Sequence, residues 1–358
     1  MKFKHSLIAL SLVAVMAGTT ASASTTAVEP ATTLNGFFSD SGATVTADSY
    51  PTDETSHQLL KNQDLAGINT ILHKRQLTPT DNQPVVRMNR DTYYSFAVVD
   101  VSKGATITMP EVPKGKYISI QPVTEDHRIQ AMQYGSGTFN LTTHTGTHMY
   151  VVIRLDSTFT EAEAKMYQDQ MSISAKSNNK FSAEPVNKAS FEKVENALKA
   201  KMGAIAKRDG SEALTGMFTD PNDSSQELFT KEKYQVGTAI GWGGAQYVDN
   251  VYEVSGNYPM DKCHQATFAD PENQAFWSIT VYDKAGFMFN DVAHMSSNTA
   301  KVNKDGTYTI SFGCGNDAPN NIKTKNDSGV FNLGIRHYMP GDKVKNQGYR
   351  LLPFVKAQ

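Results

Sequence analysis

The chain has little with which to grip nucleic acid or to stay in a bilayer. Its 34 Lys and Arg are matched by 36 Asp and Glu, and no basic tract breaks the balance. Phosphate binding needs clustered cations, so a nucleic-acid partner is excluded. The long apolar run is Leu7 to Ala17, well short of the roughly 20 residues that span a bilayer. Cysteine is scarce, with only Cys263 and Cys314 present. No C-x-x-C, H-E-x-x-H, G-x-S-x-G or Walker motif occurs, so the common zinc, serine-hydrolase and nucleotide chemistries lack their signatures. Gly241-Trp242-Gly243-Gly244 is glycine-rich. It lacks the G-x-G-x-x-G spacing and strand-to-helix setting of a dinucleotide site, so it reads as a turn. No cofactor is implied.

What is present begins with a targeting pattern. Lys2 and Lys4 precede the apolar run, and Ala21-Ser22-Ala23 follows it. This predicts a signal peptide over residues 1–23, cleaved after Ala23, and a periplasmic or extracellular location. The mature 335 residues (358 − 23) then carry a charge of −4 (32 − 36). That length exceeds what one core usually serves, so two domains are expected. In an oxidising compartment an even pair of cysteines favours a Cys263–Cys314 disulfide, the alternative being two buried free thiols.

Patterning divides the mature chain. Residues 24–50 are rich in Thr, Ser and Ala and read as a flexible leader. Residues 51–157 open with a helical pattern (Leu59, Leu60, Ile68, Ile71, Leu72, with Gly67 as a break). Strand signals follow at Tyr94–Val101, Ala105–Met109, Tyr117–Val123 and Met149–Leu155. Short strands at this spacing predict an antiparallel β-sandwich. Residues 158–240 read as a helical insert. Thr160 with Glu163 forms a capping box, and Phe191, Val194, Leu198, Met202 and Ile205 make an apolar stripe ended by Asp209-Gly210. Residues 241–358 return to strands at Phe276–Asp283, Gly306–Phe312, Val330–Tyr338 and Tyr349–Phe354. The fold class is mainly β with an α insert.

Several polar groups are candidates for chemistry. The run from Arg87 to Ser95 could bind an anion through Arg87 and Arg90, with Asn89, Asp91, Tyr94 and Ser95 assisting. The plainer reading has Asn89 and Asp91 capping a turn while Arg90 pairs internally. Glu125-Asp126-His127-Arg128 places a carboxylate beside His127, as acid–base chemistry requires, or forms a polar loop. His144 and His148 flank Thr145-Gly146-Thr147 and could share a metal, with His127 or Asp126 as third ligand. An exposed hairpin is the alternative. Asp220, Asn222, Ser224 and Glu227 alternate as calcium ligands do, without the central glycine, so a solvated turn is favoured. Alternation sets Arg336 and Tyr338 on one strand face and His337 on the other, and a buried Arg336 would need an acid partner.

Two stretches carry a family resemblance. Val86-Arg87-Met88-Asn89-Arg90-Asp91-Thr92-Tyr93-Tyr94-Ser95 resembles the R-P-N-x-D-T-L-Y-S run of domain of unknown function 1254 (DUF1254). Phe276-Trp277-Ser278-Ile279-Thr280-Val281-Tyr282-Asp283 with Gly334-Ile335-Arg336-His337-Tyr338-Met339-Pro340 resembles domain of unknown function 1214 (DUF1214). The resemblance covers residues 50–356 and implies a β-sandwich, a helical segment and a jelly-roll-like C-terminal β-sandwich, with no reaction attached. Met88 departs from the usual proline, and Asn326-Asp327-Ser328 stands where members often carry Asn-Trp-Leu-Pro.

Two functions follow as expectations. One is binding of a small molecule or glycan in a cleft between the β domains, with Arg87, Asn89, Arg90, Asp91, Tyr94 and Arg336 as ligand-binding residues. The other is a cofactor-independent hydrolase or other enzyme acting on an extracellular substrate through Asp91 and His127. A homo-oligomer is compatible with both.

Overall fold

The computed structural model describes residues 29–83, 86–219 and 229–358. The signal pattern and the Asp220–Glu227 turn lie outside these residues.

Nine strands form the first half: β1 (Phe38–Ala43), β2 (Leu72–His73), β3 (Thr92–Asp100), β4 (Ala105–Met109), β5 (Ile118–Thr124), β6 (Gln133–Tyr134), β7 (Gly137–Leu141), β8 (His148–Asp156) and β9 (Ser172–Ala175). Helices α1 (Tyr50–Ala66), α2 (Glu161–Gln168), α3 (Lys188–Asp209) and α4 (Lys231–Gly241) accompany them. The sheet β2-β3-β8-β5-β6 packs on the sheet β7-β4-β9, and every pairing is antiparallel.

Period-two alternation explains the packing. On β3 and β8, Tyr93, Ala97, Val99, Met149, Val151, Ile153 and Leu155 fill the sandwich interior. Tyr94, Val98, Tyr150 and Val152 face the other way, into a second core with α1, α3 and α4. A sheet covered on both faces reads as a nearly unbroken apolar run. That is why these strands stand out in the sequence.

The second half holds β10 (Asn250–Val254), β11 (Tyr258–Pro259), β12 (His264–Ala269), β13 (Phe276–Tyr282), β14 (His294–Ser296), β15 (Thr307–Phe312), β16 (Asn321–Ile322), β17 (Val330–Tyr338) and β18 (Val355–Ala357). One short helix, α5 (Asp342–Lys345), follows β17. Sheet β10-β17-β13-β14 faces sheet β16-β15-β12-β18. Trp277, Ile279, Val281, Phe331, Leu333 and Ile335 fill the space between them. Ser278, Thr280, Tyr282, Arg336 and Tyr338 alternate onto the outer face, which meets the first half of the chain.

The local signals map onto structure residue by residue. Thr160 Oγ1 accepts the Glu163 N–H (3.3 Å), and Glu163 Oε2 accepts the Thr160 N–H (2.8 Å), closing the capping box of α2. Gly210 ends α3 and Gly67 ends α1, each with positive φ (57° and 84°).

Four expectations are corrected. Residues 29–50 are packed rather than loose: Ala31 pairs with Ala183, and Phe37 is fully buried. Thr/Ser/Ala composition hid the anchoring power of Phe37 and Phe38, whose rings pack on Phe191 (6.2 and 5.3 Å). Beyond Gly67 the chain is extended, and Leu72 and His73 pair with β3. The span 158–240 is not helical throughout, since Ser172–Ala175 forms β9 and pairs with β4. Tyr349–Phe354 is not a strand; a helical turn over Leu352–Phe354 leads into β18 instead.

Cys263 and Cys314 form a disulfide across a separation of 51 residues, with Cα atoms 4.5 Å apart. The paired His264 and Phe312 of β12 and β15 set this distance. Replacing both cysteines by serine should lower the unfolding free energy by about 4 kcal/mol, the loop-closure entropy of such a loop. Guanidinium denaturation measures this, and an unmoved midpoint would count against it.

Candidate functional site

The two sandwiches meet at Asp91. This residue ends the loop that enters β3 and is buried at 1% exposure. Its Oδ2 accepts the Ser278 hydroxyl (2.6 Å) and the Tyr338 hydroxyl (3.0 Å). Arg336 Nη1 lies 3.9 Å from the same oxygen. All three partners come from the outer face of the second sandwich. Arg336 also donates to Tyr282 Oη (2.9 Å) and to the Arg87 carbonyl (2.8 Å). Burial works against its charge, but Tyr282 and Asp91 outweigh it and keep the guanidinium firmly protonated.

The loop before Asp91 is held on both sides. Arg87 adopts a left-handed backbone (φ 59°), and its N–H donates to the Gly286 carbonyl (2.9 Å). The Asp91 N–H donates to Asn89 Oδ1 (3.0 Å), and Asn89 Nδ2 donates to Tyr94 Oη (3.0 Å). Arg90 turns away, donating to the Thr78 carbonyl (2.7 Å) and pairing with Asp291 (3.2 Å).

Beside this junction lies a cavity of about 610 Å³. Its walls come from the outer face of β3 and β8, from α1, α3 and α4, and from β10 and β17. Arg87, Asn89, Tyr94 and Arg336 line it, whereas Arg90, Asp91 and His127 do not. A recess of about 560 Å³ adjoins it, sharing Lys74, Met88, Tyr94 and Phe96. Asn326, Asp327 and Ser328 border a separate hollow with Asp283 and Phe289.

His127 serves the turn behind the cavity. The Gly243 N–H donates to its Nε2 (2.9 Å), which leaves Nδ1–H to donate to Thr238 Oγ1 (2.8 Å). Its ring stacks on Trp242 (5.7 Å). Burial pushes its pKa down to about 3. A neutral imidazole with both nitrogens engaged is a positioning group. His144 and His148 do not converge. His144 Nε2 meets Asp126 (2.9 Å), while the buried His148 meets the Asn179 carbonyl (2.9 Å). No cluster of three metal-ligating residues occurs among the described residues. His337 faces the opposite side from Arg336 and pairs with Glu253 (2.9 Å), both fully buried.

Three wall residues escaped the sequence reading. Arg154 lines the cavity at 7% exposure. Its signal was a lone charge inside the apolar run Met149–Leu155, which a buried strand tolerates only for a reason. Trp242 belongs to the glycine run taken as a plain turn, and its Nε1 donates to Thr55 Oγ1 (2.9 Å). Asn62 lies on α1 with no sequence signal.

Removing the Asp91 carboxylate leaves Ser278, Tyr338 and Arg336 facing each other in the interior. Asp91→Ala should therefore lower stability by about 2 to 4 kcal/mol. An unchanged melting temperature would show that the junction tolerates its loss. His127 makes stability depend on pH. Below the unfolded pKa of about 6.5, the unfolded chain takes up a proton that the folded His127 refuses down to about 3. Stability should fall through that window as pH drops, by roughly 2 kcal/mol at about pH 5. Denaturation midpoints at about pH 7.5 and about pH 5 should converge in His127→Gln relative to the parent chain, and an equal pH slope in both proteins would refute the assignment.

Comparison with known proteins agrees with this architecture. The profile described as Protein of unknown function (DUF1254) matches residues 68–175, from the end of α1 to the end of β9. Protein of unknown function (DUF1214) matches residues 246–342, which contain β10 to β17. The crystal structure of the VPA0106 protein from Vibrio parahaemolyticus superposes with a TM-score of 0.59 at 17% identity, covering 87% of this chain and 97% of that one. An uncharacterized protein from Burkholderia cenocepacia gives a TM-score of 0.51 at 12% identity, covering 87% and 86%. At these identities the likeness is one of fold alone. No curated protein matches the chain. The chain thus carries a DUF1254 unit followed by a DUF1214 unit.

Proposed function

We propose that the protein works outside the cytoplasm and binds a small organic molecule between its two sandwiches. The cavity of about 610 Å³ carries this reading. Its volume lies in the range of small-molecule sites, and its wall combines aromatic surface with a few fixed polar groups. One sheet of each sandwich and three helices contribute to it, so a ligand there bridges the two halves of the molecule. The disulfide and the signal-like leader support the location. No helix among the described residues is long and apolar enough to cross a membrane.

The hydrolase reading draws less support. Asp91 is committed to the domain junction, and His127 is neutral with both nitrogens bonded. Neither lines the cavity.

Native mass spectrometry of protein purified gently from its own source tests the binding reading. The expected spectrum shows the chain plus a small organic molecule that is released on denaturation. Ala239→Phe, which projects a ring from the cavity wall, should lose that added mass. The bare chain mass from every preparation would overturn the reading.

A further inference from the structure

We infer that the molecule held between the sandwiches is an aromatic carboxylate, its charge met by Arg154 and Arg87; this rests on the cavity reading above. Arg154 carries a full positive charge at 7% exposure. Its hydrogen bond goes to a neutral group, Gln121 Oε1 (2.7 Å), and its guanidinium lies 5.7 Å from the Tyr94 ring. The buried Asp249 feels its charge but is bonded to Tyr134 Oη (2.7 Å), and no carboxylate makes a direct ion pair with Arg154 among the described residues. A guanidinium has five N–H donors, and a buried one with no carboxylate bonded directly to it is expensive. Arg87 is a second, half-buried guanidinium on the same wall. It donates to Asn332 Oδ1 (2.8 Å), packs 5.4 Å from the Tyr282 ring, and has no carboxylate partner among the described residues. Arg336 provides the contrast, because Asp91 already answers it.

The acids around the cavity are occupied elsewhere. Glu54 accepts from His57 and Gln58, Glu195 pairs with Lys199, and Glu253 pairs with His337. Asn62 Nδ2, on a side chain 3% exposed, lacks an acceptor among the described residues. The wall therefore offers donors and positive charge in excess of acceptors. The missing counterpart is an anion, and a planar carboxylate fits the guanidinium fork.

The apolar part of the wall describes the rest of the ligand. Tyr94 and Phe96 stack nearly parallel (5.7 Å, 9°). Tyr150 meets Trp242 edge to face (4.9 Å, 83°). Flat aromatic faces of this kind suit a planar body.

Titration calorimetry with naphthoate and its neutral isostere naphthamide tests the inference. Naphthoate should bind about tenfold or more tightly than naphthamide, as a charge-assisted pair requires. Arg154→Gln should abolish that preference while leaving naphthamide binding in place, and Arg154→Lys should retain part of it. If Arg154→Gln does not fold, the two probes on the parent chain and on Arg87→Gln decide. Equal affinity for both probes overturns the inference and leaves the cavity reading standing, as would a neutral molecule found in the native spectrum. No heat from either probe also overturns it, and with a bare native mass the cavity reading falls too.

Discussion

A single buried carboxylate sets how the two halves of this protein meet. Asp91 belongs to the first sandwich, and its partners Ser278, Tyr338 and Arg336 belong to the second. Taking a carboxylate out of water costs several kcal/mol, and only well-placed donors offset this. The offset here exists in one relative placement of the sandwiches. A shift of a few ångströms would strand an anion and a cation in the interior. The junction thus selects geometry more than it adds stability. The cavity beside it inherits that geometry, because Arg336 holds the carbonyl of Arg87 and both side chains stand on the cavity wall.

The first sandwich supplies the other wall by an unusual use of its larger sheet. One face closes its own core, and the other packs on α1, α3 and α4. Where this second layer is incomplete, Tyr94, Tyr150 and Arg154 border open space. His127 stiffens the far side. It fixes the Gly243 amide, while Gln121 bonds both the Gly243 carbonyl (2.7 Å) and Arg154 (2.7 Å). The guanidinium is therefore positioned through a relay that starts in the loop directly behind the cavity wall. The left-handed Arg87 adds local backbone strain at the same wall, as binding sites often do.

Much of the fold was legible because burial on two faces or one writes itself as a pattern. Phe276–Tyr282 and Val330–Tyr338 alternate, and both are strands over those residues. Thr160 and Glu163 announce α2 through local hydrogen bonds that need no tertiary context. The short strands β6, β9 and β18 were not legible, because two to four residues hold too little periodicity and their pairing is decided by distant partners. The site was half legible. The Arg87–Tyr94 run and Arg336 drew notice as dense polarity, and five of those residues (Arg87, Met88, Asn89, Tyr94 and Arg336) reach the cavity. Which of them face it, and that Asp91 answers Arg336 rather than Arg90, depends on contacts across more than 240 positions of sequence. Local pattern carries no information at that range.

Trp242 gives the molecule a built-in reporter. The chain has two tryptophans. Trp277 is 1% exposed in the interior of the second sandwich, while Trp242 stands on the cavity wall. Their emission comes from two different surroundings. One indole senses the integrity of the C-terminal core, and the other senses whatever displaces water beside Tyr150. A single fluorescence spectrum thus contains separate optical signals for folding and for occupancy, without any label attached.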